Sequence, residues 1–476
     1  MDREGEACLA PTTYGRHVKV VVVGGGIAGL AACRRLETLL PDAEVVLVER
    51  EQSVGGKLLT EQVDGYVIEA AADSFLSRKE RGVGLCEELG RADELVGRRP
   101  ENARTYVRRG TSLHPLPAGL SGMIPTNLDA LADSQLLSPE GRARVAAEVD
   151  IPPAPPGDDE SIASFVSRRL GREAYERLVE PLMTGIYGGD GEQLSLQATF
   201  PEHRTLELEH GSLIRGLLAQ SEHAGRYPPF VTLRPGMEAL VIALVGYLER
   251  TRLLTGCAAV GLRRRAGGYD VELSGRETLE ADGVVIAVPA FAAAELLAAV
   301  DADLAAEHAE ILYASSAIVT LAYRQKDVEH PLDGYGYVVP RSEGSDVLAC
   351  TWTSSKWAGR APRGKVLLRV YAGRFGERDV TADLDRELVA LAREEVRLLG
   401  ISAEPALSRI HRWPLGMPQY VMGHPERLER IEATLAELPG LAVAGAAYRG
   451  VGIPDCIHSG EEAAQSITQS LATVPA

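Results

Sequence analysis

The sequence contains few cysteines, and they follow no recognisable pairing pattern. The six cysteines are Cys8, Cys33, Cys86, Cys257, Cys350 and Cys456. None of them forms a C-x-x-C pair, and no tight spacing suggests a disulfide framework or a zinc site. This pattern indicates a reducing compartment, and we expect a cytoplasmic location.

Long apolar segments are missing too. The longest, Val18 to Cys33, contains Lys19 and four glycines. A membrane-spanning helix needs about 20 predominantly apolar residues, which this segment does not provide. Residues 1–17 carry charges and lack the apolar stretch of a signal peptide. The sequence therefore predicts no membrane span and no secretory signal, while peripheral contact with a membrane stays open.

Positive charge is in short supply. Lys and Arg together number 50 against 67 Asp and Glu, which gives a net charge of −17. Nucleic-acid-binding domains are usually basic, so we expect no nucleic-acid partner. Only six of the basic residues are lysine. Arginine suits bidentate binding of carboxylates, but biased codon usage is the simpler reason for its excess.

The motifs of several enzyme classes are also absent. The sequence has no G-x-S-x-G and no H-E-x-x-H, and its ten histidines have no metal-ligand spacing. We therefore expect no metal site.

What the sequence does contain is a βαβ beginning. Val18–Val23 is a β-branched run typical of a buried parallel strand. Gly29–Leu40 has helical composition, and Glu44–Val48 predicts a second strand.

The connection between the first strand and the helix carries a G-x-G-x-x-G motif at Gly24, Gly26 and Gly29. In this context the first glycine permits a tight turn, the second lets a pyrophosphate approach, and the third lets helix and strand pack closely. Glu49 stands 20 residues later, where a carboxylate accepts hydrogen bonds from ribose hydroxyls. These residues predict a dinucleotide site but do not separate NAD from FAD.

The rest of the chain predicts a mixed α/β protein of about three domain-sized units. Apolar residues recur at helical spacing from 81 to 145, and a proline-rich acidic loop follows at 151–160. Strands and helices alternate after residue 231. The strand at Leu441–Ala444 and the glycine-rich turn after it resemble the opening segment, so both could share one sheet.

Several later motifs resemble the flavin oxidases of the amine-oxidase superfamily. Val54-Gly55-Gly56-Lys57 resembles their second glycine loop, and Asp282–Pro289 resembles a later strand of their FAD domain. The segment Ala444–Gly460 closely resembles the flavin-contacting terminus of one family within them. This is the family of FAD-dependent porphyrinogen oxidases, which act on coproporphyrinogen III or protoporphyrinogen IX.

The resemblance extends over nearly the whole chain. It includes Ile68–Phe75, Leu113–Pro117, Glu180–Asp190 and His411–Tyr420. Two positions depart from the family pattern, since Ala71-Ala72 replaces a Gly-Pro and Pro235-Gly236 replaces a pair of glycines. The bacterial, soluble branch that acts on coproporphyrinogen III is the most similar part of the family.

The resemblance implies an α/β fold with FAD as cofactor. It implies a doubly wound FAD-binding domain built from discontinuous segments, a mixed-sheet substrate domain and a helical domain. The FAD-binding parts are expected at 1–81, 231–298 and 429–476, the helical domain at 82–205, and the substrate domain at 206–230 and 299–428.

The resemblance also implies which residues contact FAD. They are Gly24, Gly25, Gly26, Ile27, Ala28, Gly29, Glu49, Arg50, Gly56, Lys57, Ala71, Ala72, Asp73, Ser74, Val260, Trp413, Gly450, Val451, Gly452 and Ile453. Gly450 to Ile453 are expected to bring backbone N–H groups and a helix N-terminus toward the flavin. For Trp413 the alternative is a core residue without flavin contact.

The implied activity is the six-electron oxidation of coproporphyrinogen III to coproporphyrin III in haem biosynthesis, with oxygen as acceptor and hydrogen peroxide as by-product. The cofactor carries the hydride transfer, so we assign no catalytic side chain. Arg78 and Lys79 lie where the family places a cation near the substrate, whose propionates need one. The alternative is that both are solvated cations of a turn. Contact with later enzymes of the haem pathway stays open.

Three alternative functions accompany this one. The first is oxidation of protoporphyrinogen IX, and the second is a flavin amine oxidase, against which the match of Ala444–Gly460 argues. The third is a non-catalytic, isoprenoid-binding member of the fold that has lost its flavin. The intact glycines and Glu49 argue against that possibility.

Overall fold

The computed structural model describes residues 18–155, 157, 159–220 and 226–473. Cys8 and the segment 1–17, which bears on the signal-peptide prediction, lie outside the described residues.

Helices and strands alternate along most of the chain. The helices are α1 Ile27–Leu39, α2 Glu80–Glu88, α3 Leu128–Ala132, α4 Pro139–Ala146, α5 Ile162–Leu170, α6 Arg172–Ala174, α7 Glu180–Tyr187, α8 Leu196–Thr199, α9 Pro201–His210, α10 Leu213–Ala219, α11 Glu238–Tyr247, α12 Ala290–Leu297, α13 Ala302–Ala309, α14 Thr353–Lys356, α15 Asp385–Val396, α16 His424–Ala436 and α17 Ile453–Thr473. The strands are β1 Lys19–Val23, β2 Glu44–Val48, β3 Thr60–Val63, β4 Tyr66–Glu69, β5 Phe75–Leu76, β6 Leu95–Gly97, β7 Tyr106–Arg109, β8 Ser112–Pro115, β9 Leu120–Ser121, β10 Ile124–Pro125, β11 Phe230–Leu233, β12 Arg252–Leu254, β13 Ala259–Arg265, β14 Gly268–Leu273, β15 Leu279–Ala281, β16 Gly283–Ile286, β17 Tyr313–Arg324, β18 Gly336–Val338, β19 Val347–Thr351, β20 Lys365–Ala372, β21 Leu407–Pro418 and β22 Leu441–Val443.

The predicted βαβ beginning is present and forms the centre of a parallel sheet. Its strand order is β12-β2-β1-β16-β22, and every neighbouring pair is parallel. The first and last strand–turn–helix segments therefore share one sheet, as the sequence indicated. Because the strands are parallel, their carboxyl ends meet at one edge, which is where open α/β sheets bind ligands.

The valine-rich strands of this sheet are buried on both faces, as parallel strands require. One face packs against α1, α11 and α17, and the other against β13, β14 and α12. α1 and α17 pack closely on each other, because Gly460 brings the α17 backbone against the carbonyl of Ala28.

A second sheet has seven strands in the order β21-β17-β20-β19-β18-β7-β8, mostly antiparallel. Four of its strands, β17, β18, β19 and β20, belong to the part of the chain after residue 231 where alternating strands and helices were expected. A smaller sheet has the strand order β5-β11-β6 and contributes to the site described below.

The helical layer differs from the expected segment 82–205 at both sides. β7 and β8 lie inside that segment but join the seven-stranded sheet. α9 and α10 extend the helical core to residue 219, with Leu206, Leu213 and Ile214 buried in it. The exact division into domains stays a prediction.

The proline-rich loop at 151–160 covers a buried ionic network in this layer. Arg169 pairs with Glu148, both fully buried, and also donates to the carbonyl of Ile151 at 2.8 Å. Glu207 accepts from the backbone N–H of Ala154 at 3.2 Å. The loop is therefore held to the helices by charged side chains, although Pro156 and Asp158 lie outside the described residues. Across the described ranges, no helix is both long and apolar enough to cross a membrane.

Candidate cofactor and substrate site

The predicted glycine loop lies at the carboxyl edge of the parallel sheet. Gly24, with φ of 109°, donates its N–H to the carbonyl of Val48 at 2.8 Å. A Cβ at Gly29 would lie 1.9 Å from the carbonyl oxygen of Gly24, so only glycine fits there. A Cβ at Gly26 would meet no atom within 4 Å. Two of the glycines therefore serve close packing inside the protein, whereas Gly26 faces open space at the start of α1.

Glu49 comes immediately after β2 and faces this loop. Its carboxylate accepts from the N–H of Gly25 at 2.7 Å and from that of Glu51 at 2.8 Å. A carboxylate has about four lone-pair positions, so acceptor capacity remains for ribose hydroxyls. Arg50 points to solvent and pairs with Glu51 at 3.1 Å.

The second glycine loop joins the first and also reaches the seven-stranded sheet. Gly55 donates its N–H to the carbonyl of Gly25 at 2.8 Å, and Gly56 approaches Gly26. Lys57 donates from Nζ to the carbonyl of Gly416 in β21. Burial lowers the pKa of Lys57, which has no carboxylate partner among the described residues. Its ammonium keeps donors free beside the glycine loops.

The loop at 70–73, where Ala71-Ala72 replaces the family's Gly-Pro, is fixed by side chains of the seven-stranded sheet and of the segment that leads into it. Trp413 donates from Nε1 to the carbonyl of Ala70 at 2.9 Å, and Arg369 donates to the carbonyl of Ala71. Asp73 accepts from Lys356 at 2.9 Å and from Nε1 of Trp357 at 3.0 Å. Two consecutive carbonyls and one carboxylate are thus held by groups far away in sequence.

These contacts determine the charge of Asp73. Burial alone would raise the pKa of this carboxyl, but Lys356, Arg369 and the Trp357 N–H hold it well below its usual range. Asp73 therefore stays ionised, and its side chain faces the seven-stranded sheet.

The loop after β22 and the start of α17 complete the edge. Gly450 donates its N–H to the hydroxyl of Tyr420 at 2.9 Å, and Gly452 donates to Asp455 at 3.1 Å. Tyr420 and Asp455 thus accept from these two N–H groups, and the expected approach of the turn to the flavin stays a prediction. Val451 and Ile453 flank the same turn, and Ile453 begins α17. The positive N-terminal end of α17 nonetheless lies at the sheet edge.

The remaining predicted cofactor residues lie in three places. Ile27 and Ala28 are buried in the first turn of α1, and Ser74 donates its hydroxyl to Asp73. Val260 sits at a bulge of β13, and 60% of it is exposed. An exposed valine at a bulge is suited to contact a flat ring, since bulges re-aim side chains near binding sites.

This arrangement fits a dinucleotide cofactor with a flavin ring. Gly26 leaves room for a pyrophosphate at the uncapped N-terminus of α1, and the Glu49 carboxylate lies at the adjacent strand end. Lys57, Trp413 and the start of α17 extend from there toward the seven-stranded sheet. Residues at the edge of the parallel sheet, together with Lys57 and Trp413, would hold a long cofactor of this kind.

The structure separates the two cations predicted to bind substrate. Lys79 is already paired with Asp455, with Nζ 2.7 and 2.8 Å from the two carboxylate oxygens. Arg78 is exposed and has no carboxylate partner in the described part of the chain.

A third cation, Arg98, was not predicted. It lies over the rings of Phe230 at 4.4 Å and Tyr335 at 4.7 Å, and burial lowers the pKa of its guanidinium. Sequence gave no signal for it, because its environment comes from two distant segments. No carboxylate of the described residues lies within ion-pairing distance of Arg98, although the negative charge of Asp73 acts on it.

An aromatic group from the helical layer faces Arg78. Phe200 stacks on His203 with ring centroids 5.3 Å apart and meets Tyr187 edge-on at 5.8 Å. Burial lowers the pKa of His203, and the charge of Arg78 lowers it further, so Arg78 lies close to this group. The described residues bring no three His, Cys, Asp or Glu side chains together at a metal-binding distance.

Comparison with known proteins assigns this arrangement to one family. Residues 27–468 match the family model described as flavin containing amine oxidoreductase. The chain is 36% identical over 458 residues to the coproporphyrinogen III oxidase of Bacillus subtilis, covering 93% of this chain and 96% of that protein. It is 35% identical to the coproporphyrinogen III oxidase of Propionibacterium freudenreichii, covering 98% of this chain and 94% of that protein.

A solved structure gives the same answer for the fold. A protein from Exiguobacterium sp. 255-15, provisionally named a protoporphyrinogen oxidase, superposes with a TM-score of 0.86 at 33% identity, covering 95% of this chain and 99% of that one. The predictions of an α/β flavoprotein fold, of FAD as cofactor and of an oxidoreductase are confirmed.

Proposed function

This chain belongs to the flavin containing amine oxidoreductase family, and we propose that within it the chain oxidises coproporphyrinogen III to coproporphyrin III in haem biosynthesis. The reaction removes six electrons and six hydrogens from the macrocycle. Three oxygen molecules accept them and become three molecules of hydrogen peroxide. A cytoplasmic location is part of the same proposal.

The observation that carries the proposal is the position of two cations that form no ion pair with a carboxylate in the described part of the chain. Arg78 follows β5 and Arg98 follows β6, and both strands are antiparallel to β11, which lies between them. Both arginines therefore lie at the same end of this small sheet. The two strands are two spacings apart, about 10 Å. Two cations at one end of the sheet suit a substrate with several propionate arms, whereas a monoamine substrate has no carboxylate to pair with them.

The residues around these cations bind and shield the substrate. Arg78 and Arg98 would hold carboxylates, while Tyr187, Phe200 and His203 offer an aromatic wall to the macrocycle. FAD, when bound, supplies the acceptor for hydride from a bridge carbon.

The two candidate substrates differ in their number of propionates, and both carry at least the two that Arg78 and Arg98 could pair. Coproporphyrinogen III has four, and protoporphyrinogen IX replaces two of them with vinyl groups. A site built to pair charges rejects an analogue that lacks them more strongly than an apolar slot rejects extra bulk. The names of the Bacillus and Propionibacterium relatives point in the same direction.

The test is a comparison of both porphyrinogens under matched conditions, with oxygen consumption and porphyrin fluorescence recorded together. We expect higher kcat/KM for coproporphyrinogen III and one peroxide per oxygen consumed. Higher kcat/KM for protoporphyrinogen IX would move the chain to the function suggested by the name of the Exiguobacterium protein. Oxidation of a simple amine with no porphyrinogen turnover would contradict both.

A further inference from the structure

Lys79 and Asp455 form an ion pair beside the start of α17. The ammonium contacts both carboxylate oxygens, at 2.7 and 2.8 Å. Asp455 is largely shielded, with 16% of its side chain exposed against 42% for Lys79. The pair joins the segment before α2 to the first turn of α17, two elements from opposite parts of the sequence.

Asp455 lies directly under the glycine turn that leads into α17. Its carboxylate accepts the N–H of Gly452, and a Cβ at Gly450 would lie 2.5 Å from its Cγ. This turn follows the carboxyl end of β22, at the same sheet edge as the Gly24–Gly29 loop. The carboxylate therefore lies at the N-terminus of the helix, beside the cofactor edge.

A negative charge in that position makes a bound flavin harder to reduce. The N-terminus of a helix carries partial positive charge and favours anions nearby. An uncompensated Asp455 would cancel that effect at the sheet edge. Lys79 supplies an equal positive charge within hydrogen-bonding distance, so the positive end of α17 keeps its influence.

We propose that the Lys79–Asp455 pair sets the reduction potential of the bound flavin, and that Lys79 is a positioning and charge-compensating residue, not a substrate ligand. The inference rests on FAD binding at this edge and not on the identity of the substrate. Reduction adds negative charge to the flavin, so each member of the pair affects the potential with its own sign.

The two single variants should therefore shift the potential in opposite directions. Lys79→Met leaves the carboxylate uncompensated and should lower the potential. Asp455→Asn leaves the ammonium uncompensated and should raise it. We expect each change to be about tenfold in the equilibrium constant for reduction, which is ~30 mV for a two-electron couple. The double variant should return close to the wild-type value.

The experiment is dye-equilibrated reduction of the FAD-loaded protein, followed by its visible spectrum. Lys79→Arg keeps the charge and should leave the potential unchanged. Lys326→Met makes the same substitution at an exposed lysine of the substrate domain and serves as the matched control. The other nearby cations, Lys57 and Arg78, are present in every variant.

The signs distinguish the proposal from a purely structural role. If the pair only held the two segments together, both single variants would shift the potential in the same direction, and the double variant would not recover. Either result, or unchanged potentials in both single variants, overturns the inference. No porphyrinogen enters the measurement, so a failed substrate assignment and a failed inference are separate outcomes.

Discussion

Lys356 offers the clearest test of stability. Its side chain is largely buried, and its ammonium hydrogen-bonds to the two oxygens of one carboxylate. Its ammonium lies 2.9 and 3.1 Å from the two oxygens of Asp73. Only 17% of the lysine side chain and 9% of the aspartate side chain are exposed. The perturbation is Lys356→Met, which keeps the length of the side chain and removes its charge.

The expected loss of stability depends on the groups that still contact Asp73 in the variant. Removing one member of a buried ion pair costs about 3–5 kcal/mol, since the other charge is left uncompensated. The Trp357 N–H at 3.0 Å and Arg369 at 3.8 Å still face Asp73, so the lower value applies. A loss of about 3 kcal/mol lowers the midpoint by roughly 6–12 °C in a unit of 150–250 residues.

The assay is thermal unfolding of the FAD-loaded protein, with Lys326→Met as the control for the same substitution at an exposed site. The double variant Asp73→Asn/Lys356→Met should recover a large part of the loss, because no buried charge is left alone. If Lys356→Met were no less stable than the control, the argument from burial would be refuted.

The unfolding midpoints of the wild type and of the Lys356→Met variant should also depend differently on pH. In the wild type the pKa of Asp73 is depressed, so its contribution is complete above the unfolded value near 4 and is lost as the pH falls further. In the Lys356→Met variant the pKa of Asp73 rises, so protonation in acid relieves the cost. The difference in midpoint between the two proteins should therefore narrow toward low pH.

Three further predictions concern the first glycine loop, Glu49 and Arg78. Gly26→Ala should leave the melting temperature of the apoprotein unchanged but weaken FAD binding. Gly29→Ala should destabilise the fold, since its Cβ would lie 1.9 Å from a carbonyl oxygen. Glu49→Ala should weaken FAD binding by about 1.5–3 kcal/mol, and titration of apoprotein with FAD would contradict both expectations if affinities were unchanged. Arg78→Met should raise KM for coproporphyrinogen III with little change in kcat, because uniform binding is lost; a KM that rises only in Lys79→Met would contradict the assignment of Arg78.

The cofactor edge was predictable because its signals are local. A β-branched strand, a glycine turn and a helix start follow one another within residues 18–39, and Glu49 comes at the end of the next strand. Each glycine role depends on atoms a few residues away, or on the neighbouring strand. The same reasoning found β16 and β22 from their own apolar runs.

The predictions that failed concern residues whose structure depends on a distant segment of the chain. β7 lies in a region of apparent helical spacing, but it pairs with Tyr337 and Val338 of β18 and so becomes a strand. Pairing with a preformed sheet outweighs weak local preference. Arg98 was missed for the same reason, since Phe230 and Tyr335 give it its environment.

At the glycine turn, two side chains accept from backbone N–H groups. Tyr420 takes the N–H of Gly450, and Asp455 takes that of Gly452 and the ammonium of Lys79. No spacing in the sequence relates Lys79 to Asp455.

The closure of the parallel sheet by segments from opposite ends of the described chain has a consequence for synthesis. β1 needs β16 beside it, and α1 needs α17, which fits only because Gly460 has no side chain. A chain emerging from the ribosome with its N-terminal part first must wait through most of translation before these partners exist, and such non-local pairing is slow to form. The glycine loop is thus made early and completed late. Cofactor loading must follow the synthesis of α17, and a nascent chain stalled before Ile453 has no finished site to load.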